Sequence, residues 1–340
     1  MLEIKKEVDL KKYNSLKIAN KAKYFAVISA EENLKEALCF ANLKNLDIIV
    51  LGGGTNILVS KKINALVLKN ELKGIKLKKE TKNHVYLEAS SGQWWSSLVD
   101  YCLKNNWSGL ENLYYVPGTV GAAPVQNIGA YGVELKDHFF SLRAFDFKTG
   151  KIKVFRKKDC QFAYRHSIFK GKYKNRFFIL SLIVKLNKKA KLKLDYGDIK
   201  KKLEEKNIVK PSILELANVI KEIRDSKLPN PAVLANAGSF FKNPEISKAK
   251  YKKLVKKYPD IKSFKASSES LVKIPAGWLI EKAGFKGKRF NKVAMYEKQA
   301  LILVNYGNAS ALDVLNLVNK IKRKVKKYFD IELQEEVIIL

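Results

Sequence analysis

Short apolar runs in the first two hundred residues predict β-strands separated by turns and helices. The predicted strands are 46–51 (LDIIVL), 57–60 (ILVS), 84–90 (HVYLEAS) and 177–186 (FFILSLIVKL). Residues 52–56, GGGTN, predict a turn between the first two strands, and residues 94–103 have a helical pattern. This mixture favours an α+β architecture over a regular alternation of strand and helix.

The C-terminal third has a clearer pattern. Ser310 and Asp313 have the spacing of a capping box, and apolar residues then recur at helical spacing until about Asp330. A terminal strand is predicted at residues 336–340. The lysine-rich stretch at 187–206 is expected to be a surface excursion between two domains.

The charge of the chain is unusual. It has 66 basic and 33 acidic residues among 340, a formal net charge of +33, and only seven of the basic residues are arginines. Because the lysines are spread along the whole chain and arginine is scarce, a solvated surface that reflects codon usage is favoured over a nucleic-acid footprint. Such a surface would still attract an anionic substrate.

The cysteines and the apolar runs bear on location. Cys39, Cys102 and Cys160 are far apart, odd in number and without metal-ligand spacing, as expected of reduced thiols in the core of a cytosolic protein. No metal site is expected. The N-terminus lacks an apolar signal region and no stretch approaches 18 apolar residues, so neither secretion nor membrane insertion is expected.

Two glycine-rich runs are candidate nucleotide-binding segments. Residues 52–56 follow a strand and precede another strand, which argues against a Rossmann turn or a Walker loop. Their bare amides could still bind a pyrophosphate, although an ordinary tight turn is an equal alternative. Residues 117–132, PGTVGAAPVQNIGAYG, could approach a flat ligand through the backbone, or could form a buried small-residue loop.

Three further residues could carry chemistry. Ser239 lies in NAGSFFKNP, and a Ser-His-Asp hydrolase is disfavoured because no histidine base is evident. Ser239 could donate a proton, or could serve only as a cap or turn residue. Arg165 is a rare arginine suited to a bidentate contact with a carboxylate or phosphate. Glu336 begins an apolar strand, where a carboxylate is either costly to bury or at an exposed strand edge.

Taken in order, these runs resemble the UDP-N-acetylenolpyruvoylglucosamine reductase family over nearly the whole chain. The resemblance is carried by YNSLKIANKAKYF, LGGGTNILVS, VPGTVGAAPVQNIGAYGVELKD, YRHSIFK, RDSKLPNP, NAGSFFKNP, PAGWLIEKAGFKG and LQEEVIIL. LDYGD, which contains Tyr196, is similar to the tyrosine-bearing loop of the family's first subtype, type I.

The resemblance implies a fold of two parts. Residues 1–210 would form an FAD-binding region of the vanillyl-alcohol-oxidase or PCMH type, with α+β subdomains at about 1–68 and 69–210. Residues 211–340 would form a separate α+β substrate-binding domain, whose last strand returns to the active site.

The resemblance also implies roles for individual residues. Catalysis would fall to Arg165, Ser239 and Glu336. Non-covalent FAD would contact Gly52, Gly53, Gly54, Thr55, Asn56, Pro117, Gly118, Thr119, Gly121, Ala122, Gln126, Asn127, Gly129, Ala130, Tyr131 and Gly132. The UDP-sugar would contact Tyr164, Tyr196, Lys227, Asn243 and Gln299.

The implied reaction is the NADPH-dependent reduction of UDP-N-acetylglucosamine enolpyruvate to UDP-N-acetylmuramate, in bacterial peptidoglycan synthesis. Reduced FAD would give a hydride to the enolpyruvyl methylene carbon, Ser239 would give a proton, and Arg165 and Glu336 would stabilise the enolate. A cytoplasmic monomer without nucleic-acid partners is expected.

The sequence departs from the family pattern at two places. His166 follows Arg165 where the family usually has aspartate, and Gln334-Glu335 stands where a glutamate-proline pair is common. Glu335 is therefore an alternative to Glu336, which family spacing favours. Rival functions are an FAD oxidase of the same fold that acts on a sugar or hydroxy acid, and a nucleic-acid-binding protein.

Overall fold

The structure is a computed structural model that describes all 340 residues. It contains twenty strands, many of them short, and eight α-helices. The strands are β1 (Ile4–Asp9), β2 (Lys21–Ile28), β3 (Ile48–Leu51), β4 (Ile57–Leu58), β5 (Ile63–Asn70), β6 (Ile75–Glu80), β7 (His84–Ser90), β8 (Gly129–Ala130), β9 (Val133–Glu134), β10 (Phe139–Asp146), β11 (Lys151–Arg156), β12 (Phe177–Asn187), β13 (Ala235–Ser239), β14 (Glu245–Ser247), β15 (Phe264–Lys265), β16 (Leu271–Lys273), β17 (Arg289–Phe290), β18 (Val293–Met295), β19 (Ile302–Asn305) and β20 (Ile338–Ile339). The helices are α1 (Asn33–Leu43), α2 (Trp95–Lys104), α3 (Leu135–His138), α4 (Gly197–Glu205), α5 (Ile213–Lys227), α6 (Lys248–Lys257), α7 (Ala276–Lys282) and α8 (Ala311–Phe329).

The chain forms two compact units whose segments alternate along the sequence. The first unit comprises Met1–Val8, Ala22–Gly53 and Ile63–Ser226. The second comprises Asp9–Lys21, Gly54–Lys62 and Lys227–Leu340. The α+β fold class expected from the sequence is confirmed.

This grouping differs from a single boundary near residue 210. Leu16, Ile18 and Leu58, from the N-terminal fifth of the chain, are fully buried in the core of the second unit. The helix α5 lies after residue 210, but it forms a small core with α4, which precedes residue 210, in the first unit. The division at 210 into an FAD-binding and a substrate-binding domain stays a prediction.

The first unit contains two larger sheets. One has the strand order β1-β2-β5-β3, in which β2, β5 and β3 run parallel. Leu34 and Ala37 of α1 are buried with Leu66 and Leu68 of β5 in its core. The parallel strands end at one edge of the sheet, and the glycine turn at 52–56 follows the end of β3.

The other sheet has the order β11-β10-β12-β7-β6 and is antiparallel throughout. One side of α2 is buried against its core through Trp95, Leu98, Val99 and Cys102. The second glycine-rich run follows this helix in the sequence, and its Val120, Ala123 and Ile128 are buried in the same core.

The second unit contains a four-stranded antiparallel sheet, β13-β19-β18-β17, and the small sheet β14-β16-β15. The helix α8 buries Val314, Leu317, Ile321 and Val325 against the core. A parallel pair, β4 and β20, joins the segment after the glycine turn to the C-terminus.

Most of the predicted elements are confirmed. The strands at 46–51, 57–60, 84–90 and 177–186 correspond to β3, β4, β7 and β12, and the capping box of Ser310 and Asp313 begins α8. The terminal strand is shorter than predicted, because only Ile338–Ile339 pairs as β20. The lysine-rich stretch is not only a surface excursion: it contains α4, whose Ile199 and Leu203 are buried. No helix is long and apolar enough to span a membrane.

Candidate active site

The two glycine-rich runs meet in the first unit. A Cβ atom added to Gly52 would lie 2.7 Å from Oγ1 of Thr119 and 3.5 Å from Cβ of Ala122. A Cβ atom on Gly53 would lie 2.8 Å from the Trp94 ring and 3.4 Å from Cα of Gly118. The strand-end turn therefore packs directly on the second run, and only glycine permits this approach.

Backbone hydrogen bonds fix the second run against the start of α2. Trp95 N–H donates to Gly118 O at 2.9 Å, and Gly121 N–H donates to Ser91 O at 2.8 Å. A Cβ atom on Gly121 would lie 2.6 Å from Cβ of Ser91, so this position is also closed to larger residues. Pro117 precedes this tightly packed part of the run.

Thr119 has an unusual hydroxyl. The residue is only 3% exposed, and its Oγ1 atom is buried without a hydrogen-bond partner. A buried hydroxyl without a partner costs about 1–3 kcal/mol, and it lies beside the glycine turn. The position is suited to an acceptor atom of a ligand, such as a phosphate oxygen.

The end of the second run forms a tight hairpin. Gly129 and Ala130 of β8 pair with β9, and the turn residues Tyr131 and Gly132 have φ values of 47° and 78°. Two successive positive φ angles are the signature of a type I′ turn. The hairpin presents Tyr131 as the only large side chain at its tip.

Asn127 has a structural role in this region. Its side-chain amide donates to Glu134 Oε2 at 3.0 Å and to Ala163 O at 3.1 Å, while its Oδ1 accepts from Lys136 N–H at 3.0 Å. Both of its N–H donors are thus engaged within the protein. Gln126, the preceding residue, is half-buried.

Arg165 lies in a strained turn. Ala163 and His166 exchange two 3.1 Å backbone hydrogen bonds, which leaves Tyr164 and Arg165 as the central residues. Arg165 has φ of 51°, an uncommon conformation for a residue with a Cβ atom, and its Nη1 lies 3.4 Å from the Cβ position of Gly129. The structure therefore brings Arg165 to the second glycine-rich run.

Tyr196 meets the same hairpin. Its ring is 5.3 Å from that of Tyr131 in an edge-to-face arrangement, and 41% of Tyr196 is exposed. Burial raises the pKa of the Tyr131 hydroxyl, while the guanidinium of Arg224 opposes the shift. One predicted substrate residue thus contacts one predicted cofactor residue.

In the second unit, the glycine turn continues as residues 54–56. Gly54 has φ of 66°, and a Cβ atom there would lie 1.9 Å from the carbonyl oxygen of Tyr13. Thr55 is half-buried, and Asn56 Nδ2 donates to Glu336 O at 3.4 Å. The run thus contributes Gly52 and Gly53 to the first unit and its last three residues to the second.

Ser239 ends β13 after a bulge. The register against β19 shifts between Asn236 and Ser239, and the intervening Gly238 has φ of 70°. Gly238 N–H donates to Oδ1 of Asn236 at 3.0 Å, which stabilises the bulge. The half-buried Ser239 hydroxyl makes no hydrogen bond within the protein, so its proton is available to a ligand.

The two adjacent glutamates at the C-terminus have different surroundings. Glu336 is only 7% exposed, whereas Glu335 forms a 2.8 Å ion pair with Lys322 of α8. Neighbouring residues of an extended chain point to opposite sides. Glu336 is therefore the carboxylate that is buried, and Glu335 is the one that pairs with a lysine.

The remaining predicted substrate residues are in different settings. Asn243 Oδ1 accepts from Ala276 N–H at 2.9 Å and so caps α7, which leaves its amide group for a ligand. Gln299 Oε1 lies 2.9 Å from the Cβ position of Gly277 and accepts from Leu301 N–H at 3.3 Å. Lys227 is half-buried at the last turn of α5.

Two residues near the glycine runs were missed from the sequence. Trp94 lies over Gly53 and is 44% exposed, an unusual exposure for tryptophan. Ser91 is fully buried, accepts from Asn70 Nδ2 at 2.7 Å and packs on Gly121. The signal that could have found Trp94 is the WW pair after SSGQ, at the start of α2.

The residues of the first unit fit a flavin dinucleotide. The bare glycine backbone permits close approach of a pyrophosphate, and Thr119 supplies a buried hydroxyl that needs a partner. A family model described as an FAD binding domain matches residues 22–156 of this unit. The chain is therefore a flavoprotein oxidoreductase that carries an FAD-binding domain.

The particular family follows from the rest of the chain. A model for the C-terminal domain of UDP-N-acetylenolpyruvoylglucosamine reductase matches residues 230–340. The enzyme of that name from Flavobacterium johnsoniae is 44% identical, over 100% of both chains. The chain belongs to the UDP-N-acetylenolpyruvoylglucosamine reductase family.

Other similar proteins agree with this assignment. The UDP-N-acetylenolpyruvoylglucosamine reductase of Pseudomonas fluorescens strain Pf0-1 is 42% identical, over 98% of both chains. The crystal structure of UDP-N-acetylenolpyruvylglucosamine reductase from Thermus caldophilus has a TM-score of 0.70 at 23% identity and covers 100% of this chain and 99% of that one. The latter comparison supports the fold.

Proposed function

We propose that this protein reduces UDP-N-acetylglucosamine enolpyruvate to UDP-N-acetylmuramate at the expense of NADPH, in peptidoglycan synthesis. The observation that carries the proposal is the arrangement in the second unit. Ser239 has an available hydroxyl, and the backbone of the next residue, Phe240, accepts a hydrogen bond from the buried Glu336. The residues that carry the proposed proton donor and the proposed carboxylate thus belong to two segments whose main chains are hydrogen-bonded to each other.

FAD would be held non-covalently, by the bare backbone of residues 52–56 and 117–132 and by the hydroxyl of Thr119. The cofactor, when bound, would supply hydride transfer between NADPH and the enolpyruvyl group. The chain would hold both partners, orient them and supply the proton. The excess of lysines over the chain would favour the approach of anionic nucleotides.

Arg165 would stabilise the negative charge that develops on the enolate and its carboxylate. Its guanidinium can donate two parallel hydrogen bonds, and its strained backbone fixes it in advance of the reaction. A preorganised donor of this kind contributes about 3 kcal/mol to a transition state.

Ser239 would give its proton to the substrate carbon next to the carboxylate. An ordinary hydroxyl is a weak acid, but an enolate is basic enough to take its proton. Glu336 would accept a hydrogen bond from a protonated oxygen of the substrate carboxyl group, and its burial supports this role over Glu335, which is paired with Lys322.

The UDP-sugar would be bound by the residues that the family resemblance indicates. These residues are Tyr164, Tyr196, Lys227, Asn243 and Gln299. Tyr196 is exposed and directly precedes α4, and its one aromatic contact is with Tyr131 at the hairpin tip. This position supports a loop of the type I subtype. We further propose that the protein acts as a monomer in the cytoplasm.

Product analysis tests this function. The holoenzyme is incubated with NADPH and the enolpyruvyl sugar, and the nucleotide sugar is examined by mass spectrometry. We expect a product heavier by two hydrogen atoms that co-migrates with UDP-N-acetylmuramate. Unchanged enolpyruvyl sugar, with NADPH consumed only by oxygen, would contradict the proposed substrate.

A further inference from the structure

The C-terminal segment is tied to the residues that follow the glycine turn. Ile338 N–H donates to Asn56 O at 3.0 Å, and β20 pairs in parallel with β4 through Ile338 opposite Ile57 and Ile339 opposite Leu58. Leu340 then closes the segment. Its N–H donates to Leu58 O at 2.9 Å, and its carbonyl accepts from both the N–H and the hydroxyl of Ser60, at 2.8 and 2.7 Å.

Glu336 is held at both of its backbone polar groups. Its N–H donates to Phe240 O at 2.9 Å, and its carbonyl accepts from Asn56 Nδ2 at 3.4 Å. The direction in which a side chain leaves the backbone is set by the orientation of its two flanking peptide groups. The peptide group after Glu336 is oriented by one side chain, that of Asn56.

The family resemblance places Asn56 among the cofactor contacts, but its amide points to another task. Its Nδ2 atom contacts the main chain of Glu336, and its own carbonyl accepts from Ile338 two residues later. Within the second unit, Asn56 therefore makes hydrogen bonds to the main chain at Glu336 and at Ile338. Asn56 thus connects the end of the glycine turn to the main chain of the residue that carries the buried carboxylate.

We propose that Asn56 is a positioning residue, which orients the carboxylate of Glu336 for the enolpyruvyl substrate by holding the Glu336 carbonyl. This inference rests on the role proposed for Glu336. A displacement of a reacting group by about 1 Å can lower a rate by roughly 100-fold, so loss of one orienting bond is measurable. Asn56 acts on the second half of the reaction, in which Glu336 meets the enolpyruvyl group, more than on reduction by NADPH.

The test uses holoenzyme saturated with FAD, in a stopped-flow instrument. Enzyme reduced with one equivalent of NADPH is mixed with the enolpyruvyl sugar, and the return of flavin absorbance gives the rate of the second half-reaction. For Asn56→Ala we expect this rate to fall about 10-fold at saturating sugar, a larger fall than that of the rate of reduction by NADPH. Asn56→Gln, which keeps an amide donor, should recover part of the rate.

A matched control removes the same kind of bond from the same segment. Asn20 Nδ2 donates to the carbonyl oxygen of Val59 at 2.8 Å. Val59 lies three residues after Asn56, and this hydrogen bond does not involve Glu336. Asn20→Ala should therefore leave the second half-reaction unchanged. An equal slowing in Asn20→Ala would overturn the inference, because it would assign the effect to loosening of the segment.

The dissociation constant of FAD, measured by equilibrium dialysis, distinguishes a cofactor contact of Asn56 from a positioning role. If Asn56→Ala binds FAD more weakly but regains the full rate at saturating FAD, Asn56 is a cofactor contact and the inference fails. Glu336→Gln, measured alongside, should slow the same half-reaction. A normal rate of the second half-reaction in Glu336→Gln would overturn the proposed role of Glu336 together with this inference. A lowered rate in Glu336→Gln with a normal rate in Asn56→Ala would overturn the inference alone.

Discussion

The backbone N–H of Glu336 donates a 2.9 Å hydrogen bond to the carbonyl of Phe240, the residue that follows Ser239. Main-chain pairing therefore holds the segment of the proposed carboxylate beside the segment of the proposed proton donor. Main-chain pairing is less sensitive to side-chain motion than a contact between two flexible side chains. This arrangement suits a step in which proton delivery and charge stabilisation must occur at one small group.

Replacing Ser239 separates the two half-reactions. Ser239→Ala should be reduced by NADPH at the wild-type rate, but its oxidation by the enolpyruvyl sugar should slow about 100-fold or more, because the proton donor is lost. Ser239→Cys, a stronger acid of similar size, should retain more activity than the alanine variant. The measurement is stopped-flow absorbance of the flavin.

The control for this pair is Ser268→Ala, at an exposed serine of the same unit. It should match wild type in both half-reactions. Equal losses in the alanine and cysteine variants of Ser239 would indicate a structural serine and contradict its role as proton donor.

Removal of the Thr119 hydroxyl should weaken FAD binding without weakening the fold. The buried Oγ1 has no hydrogen-bond partner in the protein, so it destabilises the folded protein when no ligand is bound, and Thr119→Val removes this polar atom. We expect the dissociation constant of FAD to rise about 10-fold while the thermal stability of the FAD-free protein stays equal or rises. Equilibrium dialysis and calorimetry measure the two quantities.

Ser167 provides the contrast to Thr119. Its hydroxyl donates to Val125 O at 2.7 Å, so Ser167→Ala should lower the stability of the FAD-free protein. A loss of stability in Thr119→Val as large as that in Ser167→Ala would indicate that the Thr119 hydroxyl is satisfied within the protein.

Gly54 should tolerate no side chain. Gly54 and Gly150 both have φ of 66°, but a Cβ atom on Gly54 would lie 1.9 Å from Tyr13 O, whereas on Gly150 it would meet only a leucine methyl at 3.8 Å. Gly150→Ala should cost about 1 kcal/mol from backbone conformation alone, and Gly54→Ala more than about 3 kcal/mol. Urea unfolding measures both, and equal costs would contradict the close approach.

The ion pair of Asp146 and Arg176 should make stability depend on pH. Arg176 donates to both carboxylate oxygens, at 3.0 and 2.7 Å, and these bonds lower the pKa of Asp146. A carboxyl whose pKa is lowered on folding stabilises the protein above the pKa of the unfolded state, and this contribution is lost as the pH falls. Asp146→Asn should therefore cost about 2 kcal/mol at pH 7.

The difference between wild type and Asp146→Asn should shrink as the pH falls below about 4, in unfolding curves measured at several pH values. Asp225→Asn removes an exposed carboxylate that pairs with Lys221 and should change stability little. A cost for Asp146→Asn that is the same at pH 7 and at pH 3 would contradict the lowered pKa.

The sequence predicts the elements with strong local signals. Ser310 and Asp313 identify the start of α8, because a capping box is a contact between residues three apart. The strand, glycine turn and strand at 46–60 are likewise found, because a short apolar run and a group of glycines are local features. These signals depend on neighbouring residues alone.

The interleaving of the two units could not be predicted in the same way. Leu16 and Leu58 are buried with residues more than two hundred positions away, and nothing in their own neighbourhood shows this. The hydrogen bond from Asn56 to Glu336 joins residues 280 apart. Ile199 and Leu203 were obscured by the surrounding lysines, although their spacing of four residues is helical.

The candidate site was predicted in its motifs and not in its internal contacts. The motifs indicate Gly52, Arg165, Ser239 and Glu336 by resemblance to the family. The packing of Gly52 on Thr119 and the strained φ of Arg165 depend on long-range packing and backbone geometry. The assignment of catalytic and binding roles to these residues stays a prediction.

An anaerobic absorbance titration tests the central claim most directly. The purified protein, reconstituted with FAD where necessary, receives NADPH and then UDP-N-acetylglucosamine enolpyruvate in one cuvette. We predict that the flavin bands bleach with NADPH and return in full with the enolpyruvyl sugar. Bands that bleach with NADPH but do not return with the sugar would contradict the proposed substrate.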